Sequence, residues 1–135
     1  MSDLRIIVTG GRKRGSENDY ALLGERLDDI HEVCRGMNFV IIQGGCPDGV
    51  DAMARRLARD RGAAVETYPA DFQLHPEDAV EVSNQTMVDH GAHLCLAFPN
   101  APADGPSLGT WDMIRRAVAA GIETRIYPEA GHEHG

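Results

Sequence analysis

The sequence predicts an α/β fold: a single Rossmann-like, doubly wound domain with about five parallel strands and helices on both faces of the sheet. Two observations lead to this prediction. Short apolar runs alternate along the chain with amphipathic segments of helical length, as in proteins with a parallel sheet. The runs are also nearly continuous in apolar residues, as strands buried on both faces are. The 135 residues, 42% hydrophobic and 25% charged, are enough for one such domain.

The first half of the chain predicts three strands separated by two helices. The strands are placed at residues 4–9, 38–43 and 63–68. Ser16, with Asp19 three residues later, is suited to cap the first helix. The second helix follows a glycine loop, has its apolar face within residues 50–58 and is closed by Gly62.

The second half predicts two more helices and two more strands. The intervals are a helix at 76–90 that starts at Pro76, strands at 93–98 and 122–127, and a last helix ended by Gly121. Trp111, Ile114 and Val118 are expected to form the buried stripe of the last helix. Residues 1–128 are predicted to be the domain and residues 129–135 a flexible C-terminal tail.

Strand order follows from the connections. Right-handed crossovers leave few arrangements of five parallel strands, and we predict the order 3-2-1-4-5. This order places a crevice beyond the carboxyl ends of strands one and four, where the winding reverses and α/β proteins bind ligands.

The setting predicted for the protein is the cytoplasm. No apolar run approaches the roughly 20 residues that span a bilayer, and the N-terminal segment MSDLR lacks the apolar core of a signal peptide. The three cysteines, Cys34, Cys46 and Cys95, form no CxxC pair, which favours a reducing compartment over a disulfide framework or a zinc site.

The charge of the chain favours a small ligand over nucleic acid. A net charge of −8 opposes general attraction to phosphate backbones, although the local segment GRKRG at residues 11–15 is basic. DNA binding through this segment is therefore the weakest of the functional hypotheses.

Three glycine loops leave the carboxyl ends of strands and should meet at the crevice. They are TGGRKRGS after strand one, QGGCPDG after strand two and DGPSLGT after strand four. Backbone N–H groups and helix N-termini at such an edge suit a phosphate. The candidate ligand-binding residues in these loops are Gly10, Gly11, Arg12, Gly44, Gly45, Asp48, Asp51, Ser107, Gly109 and Thr110.

Each loop also has a structural explanation. Gly10 and Gly15 have the spacing of a P-loop, but Ser16 and Glu17 stand where Lys and Ser or Thr are needed, and no G-x-G-x-x-G is present. Residues 12–14 either embrace a phosphate, with Arg12 the first choice, or form a solvated charge run.

The other two loops can be explained by helix capping. Asp48 and Asp51 either cap the second helix reciprocally or accept hydrogen bonds from ribose hydroxyls. Ser107, Gly109 and Thr110 either cap the last helix or hold a phosphate.

Taken together, these segments resemble the SLOG superfamily of Rossmann-like nucleotide-binding proteins, in particular its YspA/YpsA-related branch. The resemblance runs through RIIVTGGR, GGCPDGVDAMARRLA, YPADF, SNQTMVDHGAHLCLAFP and LGTWDMIRRAVAAGI. It implies a nucleotide-derived ligand, such as an ADP-ribose-like molecule, at the glycine edge. It also suggests Asn84 as a polar contact, although an asparagine inside a helix commonly faces solvent.

The LOG-type phosphoribohydrolases are a related branch that carries P-G-G-x-G-T-x-x-E with a catalytic glutamate. In GPSLGTWDM, Gly109 and Thr110 match, but Met113 stands at the glutamate position, and Asp112 is one residue early, about 100° away on a helix. Binding or sensing is therefore the first hypothesis. The alternative is an N-glycosidic hydrolase that uses Asp48, Asp51 or Asp112.

No cofactor or metal is predicted. His90 and His93, with His132 and His134 in the tail, are better explained as surface residues than as metal ligands. Cys46 is expected to be a half-buried filler and not a nucleophile. Related proteins commonly pair, and Leu108 with the surrounding helix is the expected contact of a homodimer or higher homo-oligomer.

Overall fold

The computed structural model describes residues 3–128 of the chain. In chain order its strands are β1 (Asp3–Gly10), β2 (Asn38–Gln43), β3 (Ala64–Thr67), β4 (Leu94–Phe98) and β5 (Glu123–Ile126). Its helices are α1 (Glu17–Val33), α2 (Gly49–Arg61), α3 (Ala79–His90) and α4 (Leu108–Ala119), and a 3-10 turn spans Pro102–Asp104. The proposed tail, residues 129–135, lies outside the described residues.

The five strands form one parallel sheet in the order β3-β2-β1-β4-β5. The predicted fold class and strand order are therefore confirmed. The central strand β4 is buried along its whole length, whereas most residues of the edge strands β3 and β5 are exposed. Nearly continuous burial is thus a property of the central strands, because an edge strand has a neighbour on one side only.

The sheet separates two apolar cores. On one face, residues such as Ile6, Ile41 and Leu96 pack with Leu23 of α1 and Leu57 of α2. The other core packs Ile7, Ile42 and Cys95 against Met87 of α3 and Met113 of α4. Helices α1 and α2 therefore cover one face, and α3 and α4 cover the other. No helix among residues 3–128 is both long and apolar enough to cross a membrane.

Two predicted helix boundaries have the expected chemistry. Ser16 caps α1, since its Oγ accepts a hydrogen bond from the Asp19 N–H at 3.1 Å. Gly62 ends α2 in the left-handed region, with a φ of 68°. The start of α3 was placed too early: Pro76 lies in a turn, and the helix begins at Ala79.

The predicted buried stripe of α4 is wrong at two of its three positions. Ile114 is buried, but Trp111 is 43% exposed and Val118 is 60% exposed. The buried face instead consists of Thr110, Met113, Ile114 and Ala117. These residues follow the same three-and-four spacing with a different phase, and only packing against the sheet decides between the two phases.

Candidate functional site

A crevice of about 880 Å³ opens at the carboxyl ends of the central strands. It includes the end of β1, the loop after β2 and the first turn of α4, and therefore lies at the reversal of winding between β1 and β4. The predicted site residues that line it are Gly10, Gly11, Arg12, Gly44, Gly45, Asp51, Asn84, Ser107, Gly109, Thr110 and Asp112. Asp48 is not among the lining residues, and its side chain is exposed.

The three adjacent cations of the first loop, residues 12–14, lie in different environments. The Arg14 side chain is buried and forms an ion pair with Asp19, at 2.8 Å between Nη2 and Oδ1. It also donates to the carbonyls of Pro99 and Tyr127. Arg12 and Lys13 are exposed and line the crevice. Arg14 is therefore a structural residue, and its two neighbours are the cations that a ligand can reach.

The first loop lies directly against the start of α2. Gly49 has a φ of 68°, and a Cβ there would be 2.7 Å from the Arg12 Cα. A Cβ on Gly15 would be 2.8 Å from the carbonyl oxygen of Gly49. Both positions require glycine because two backbones meet without room for a side chain.

The second loop is fixed by two residues that the sequence analysis missed. The Gln43 side chain, fully buried, accepts hydrogen bonds through Oε1 from the Gly45 N–H at 2.7 Å and from Arg55 Nη1 at 2.8 Å. Arg55 also donates from Nη2 to the Cys46 carbonyl at 2.6 Å. A glutamine that ends a buried strand was the available signal, because a buried amide needs partners. The loop is therefore held in one conformation by side chains beneath it.

The reciprocal cap expected at α2 does not form. Asp48 occupies the N-cap position, but its side chain makes no capping hydrogen bond. Asp51 Oδ2 instead accepts a hydrogen bond from the Cys46 N–H at 3.1 Å. Asp51 therefore supports the glycine loop that precedes the helix.

Asp51 is also a carboxylate whose charged form is disfavoured by its surroundings. Burial raises its pKa, and the Cys46 N–H and the charge of Arg55 offset only part of that effect. No ion pair among residues 3–128 includes Asp51. A carboxyl group with these properties in a crevice is a candidate for ligand contact or proton transfer.

Asn84 joins α3 to α4 and does not face solvent, so that expectation is wrong. It is 6% exposed, and its Nδ2 donates to the Gly109 carbonyl at 3.1 Å and to Asp112 Oδ2 at 3.0 Å. Arg116 Nε donates to the same Asp112 oxygen at 2.8 Å. Burial favours the neutral form of Asp112, but the hydrogen bonds from Arg116 and Asn84 outweigh it and hold its pKa below the ordinary value.

The first turn of α4 is tightly packed. The Ser107 Oγ accepts a hydrogen bond from the Asn100 N–H at 2.6 Å and makes no capping bond. A Cβ on Gly109 would approach Val80 Cγ1 to 3.2 Å. Met113, at the position of the LOG-type glutamate, is fully buried in the core. That position does not face the crevice in this chain.

The two histidines singled out within the described residues, His90 and His93, each contact backbone. His90 Nδ1 lies 2.9 Å from the Thr86 carbonyl oxygen, and His93 Nδ1 accepts from the Arg5 N–H at 3.0 Å. His132 and His134 lie outside the described residues. Within residues 3–128, no three His, Cys, Asp or Glu side chains cluster in a way that could hold a metal ion. Cys46 is half-buried and lines the crevice.

The chain is similar to a described protein family and to a phage protein. The family described as YAcAr, the YspA, cpYpsA-related SLOG family, matches residues 4–75, just over half of the chain. The gene 61 protein of Mycobacterium phage D29 is 36% identical over 124 residues, which cover 87% of this chain and 91% of that protein.

A solved structure aligns with most of the chain at low sequence identity. The C-terminal domain of a hydrogenase from Pyrococcus furiosus aligns over 94% of both chains with 11% identity. Its TM-score is 0.47, which is too low to support a conclusion about this protein.

Proposed function

The chain belongs to the YspA, cpYpsA-related SLOG family, and from this membership and the crevice we propose that it binds or senses a nucleotide or a nucleotide-derived ligand of the ADP-ribose type. One observation carries the proposal. The glycine loops after β1 and β2, the first turn of α4 and two exposed cations, Arg12 and Lys13, line a single crevice.

The loops offer the groups that a phosphate requires. Backbone N–H groups and the N-terminal ends of helices carry partial positive charge, and glycines allow an anion to approach the backbone closely. Arg12 and Lys13 add full charges at the same edge, and Arg115 is a third exposed cation in the lining. A volume of about 880 Å³ lies within the usual range for small-molecule sites.

The remaining polar groups suit a ribose. Asp51 Oδ2 accepts a hydrogen bond from the Cys46 N–H. The Asn84 side chain donates both of its described hydrogen bonds from Nδ2. Asp51 Oδ1 and Asn84 Oδ1 are therefore the acceptors that we assign to ribose hydroxyls.

Thermal unfolding with a ligand panel tests the proposal. The panel contains AMP, ADP, ATP, NAD, ADP-ribose and cyclic nucleotides, and a ligand at 100 times its dissociation constant adds about 2.7 kcal/mol of stability. Arg12→Ser should weaken binding by roughly tenfold or more, since a hydrogen bond to a charged group contributes about 1.5–3 kcal/mol. Arg59→Ser removes an arginine whose side chain is 76% exposed and that does not line the crevice, and it should leave affinity unchanged. No shift with any compound would refute the proposal.

A second candidate function is hydrolysis of the N-glycosidic bond of a nucleotide. The observation that favours it is Asp51, a carboxyl group in the crevice with a raised pKa. In this reaction water adds to the anomeric carbon as the bond to the base breaks, giving free base and ribose phosphate. Asp51 would stabilise positive charge developing on the ribose or accept a proton from the attacking water. Asp112, which already accepts hydrogen bonds from Arg116 and Asn84, would stabilise the positive charge on the ribose but would not accept the proton.

Base release distinguishes the two functions. Each nucleotide is incubated with the protein and the products are separated by chromatography. If the protein is a hydrolase, Asp51→Asn should reduce turnover by at least about 100-fold, as removal of a general acid or base does, a larger effect than the roughly tenfold loss of affinity expected from one hydrogen bond to the ribose. Recovery of every bound nucleotide intact from wild-type protein would leave binding or sensing as the function.

Nucleic acid is not part of the proposal. With Arg14 buried in an ion pair, the GRKRG segment presents only Arg12 and Lys13 to an external partner. The chain as a whole carries a net charge of −8. Retention of a labelled oligonucleotide at low salt, lost as salt rises, would contradict this view.

The proposal also includes a cellular compartment and an oligomeric state. Cys34, Cys46 and Cys95 form no disulfide, which supports a reducing compartment such as the cytoplasm. Trp111 and Val118 expose apolar surface on α4, which supports a homo-oligomer that covers them. Light scattering of wild-type protein and of Val118→Ser tests the second point: a monomeric wild type would exclude it.

A further inference from the structure

Besides the glycine loops, the crevice is lined by three exposed apolar side chains. Phe72 in the turn after β3, Val80 in the first turn of α3 and Leu108 at the start of α4 all line the crevice. They are 60%, 37% and 76% exposed. Large apolar side chains gain nothing from contact with water, and an exposed group of them at a cavity marks a binding surface.

The turn that carries Phe72 is held in place by its own hydrogen bonds. Asp71 Oδ1 accepts from the N–H groups of Gln73 and Leu74, at 3.1 and 3.0 Å. The Asp71 carbonyl accepts from the His75 N–H at 2.9 Å. The exposure of Phe72 is therefore set by a closed turn, so that the ring is presented before any ligand arrives.

The neighbouring Leu74 shows that exposure alone does not define this surface. It is 70% exposed on the same turn, but it does not line the crevice. Leu74 therefore provides a control for Phe72, because both are apolar and both belong to the turn fixed by Asp71.

The crevice thus has two kinds of lining. The loops after β1 and β2 contribute glycine backbone and the cations Arg12 and Lys13, whereas Phe72, Val80 and Leu108 come from the turn after β3 and from the helices α3 and α4. A ligand that satisfies both has an anionic end and a flat apolar end, as a nucleotide does. An aromatic ring stacks on the face of a base, and none of the three side chains offers a hydrogen bond to its edges.

We propose that Phe72 is the base-stacking residue of this crevice, and that Val80 and Leu108 complete an apolar subsite for the base while the phosphate lies at the glycine loops after β1 and β2. The inference rests on the proposed function and adds the orientation of the ligand. Stacking of a base on an aromatic side chain contributes about 1–3 kcal/mol.

Two probes that differ only by the base test this inference. AMP and ribose 5-phosphate are titrated calorimetrically into wild-type protein, Phe72→Ala, Phe72→Leu and Leu74→Ala. Phe72→Ala should weaken AMP binding by between about 5-fold and about 150-fold, the stacking energy converted at 1.4 kcal/mol per tenfold. Ribose 5-phosphate affinity should change less than twofold, and Phe72→Leu should fall between wild type and Phe72→Ala.

The outcomes separate this inference from the proposed function. If wild-type protein binds AMP and Phe72→Ala binds it equally well, the base subsite is refuted and the proposed function stands. Equal losses for AMP and ribose 5-phosphate would also refute it, since Phe72 would then act on the whole site. If wild-type protein binds no nucleotide, the proposed function fails first. Leu74→Ala should match wild type with both probes.

A fluorescence variant gives a direct readout of stacking. The chain contains one tryptophan, Trp111, so Phe72→Trp combined with Trp111→Phe places the only indole at the proposed subsite. AMP should quench its fluorescence and ribose 5-phosphate should not. Quenching by both probes, or by neither at saturating AMP, would overturn the assignment.

Discussion

Asp51 and Asp112 both line the crevice, but the two carboxylates, on helices that cover opposite faces of the sheet, lie in opposite electrostatic environments. Arg116 and Asn84 donate to Asp112 and hold its pKa below the ordinary value. Burial raises the pKa of Asp51, which has a backbone N–H as its hydrogen-bond partner. The difference indicates that Asp112 holds α3 and α4 together, whereas the charge of Asp51 costs stability and is available to a ligand.

The largest expected loss of stability concerns Asp19, a buried carboxylate that is paired with an arginine, as Asp112 is. Arg14→Met would leave the Asp19 charge buried without its cation, and we expect the free energy of unfolding to fall by about 3–5 kcal/mol. Urea denaturation measures the change. Lys13→Met, which removes the exposed cation next to it, should alter stability by less than about 0.5 kcal/mol. Equal stability of the two variants would show that the buried pair contributes nothing.

Asp112 should come next. Asp112→Ala removes an acceptor shared by Asn84 and Arg116, and the buried Asn84 amide loses a partner, at a cost of about 1–3 kcal/mol. The control is Asp104→Ala, an exposed carboxylate on the same crevice, which should change the free energy of unfolding by less than about 0.5 kcal/mol. If Asp112→Ala denatures at the same urea concentration as the control, Asp112 is not a structural residue.

Replacement of Asp51 should raise the free energy of unfolding, whereas replacement of Asp112 should lower it. Asp51→Asn keeps an oxygen for the Cys46 N–H and removes the disfavoured charge, so the variant should be more stable than wild type at pH 7, by about 0.5–2 kcal/mol. The folded protein holds more protons than the unfolded chain between the ordinary pKa of 3.8 and the raised value. Wild-type stability therefore falls as pH rises through that interval.

Melting temperatures measured from pH 3 to pH 8 check this sign. The gain from Asp51→Asn should grow as pH rises above the ordinary pKa of the carboxyl group and vanish below it. A loss of stability at pH 7 would place Asp51 with Asp112 as a structural carboxylate, and the comparison would no longer hold.

Glu66 should show the smallest effect. Arg5 donates two hydrogen bonds to it and holds its pKa at about 2. Because the Glu66 side chain is 36% exposed, solvent screens the pair, and Glu66→Gln should cost about 1 kcal/mol or less at pH 7. The lowered pKa means that this contribution is present above pH 4.5 and is lost as pH falls toward 2. A difference between Glu66→Gln and wild type that persists unchanged at pH 2 would contradict the assignment.

The fold could be predicted because its signals are local. The apolar runs of β1, β2 and β4 and the glycines that end α2 and α4 are readable in short stretches of sequence. The phase of α4 is not local, since two apolar stripes of equal spacing compete and the sheet selects one. Thr110 and Ala117, small enough to lie close to the strands, were buried in preference to Trp111 and Val118.

The position of the candidate site could be predicted for a topological reason. Parallel strands end at one edge of the sheet, so glycine loops that follow β1, β2 and β4 must meet there. The roles of individual side chains depend on distant partners. Arg14 is buried because Pro99 and Tyr127, 85 and 113 residues away, offer carbonyls to it. The burial of Asn84 likewise depends on Gly109 and Asp112.

The close approach of Gly15 and Gly49 has a consequence for how a ligand enters. Gly15 packs against the backbone of Gly49, and Gly49 packs against the backbone of the first loop. We therefore expect the first loop to move outward only together with the start of α2. For the same reason, we expect a ligand to enter the crevice from a side other than the first loop. Amide hydrogen exchange should show residues 11–15 and 49–51 opening together and slowly.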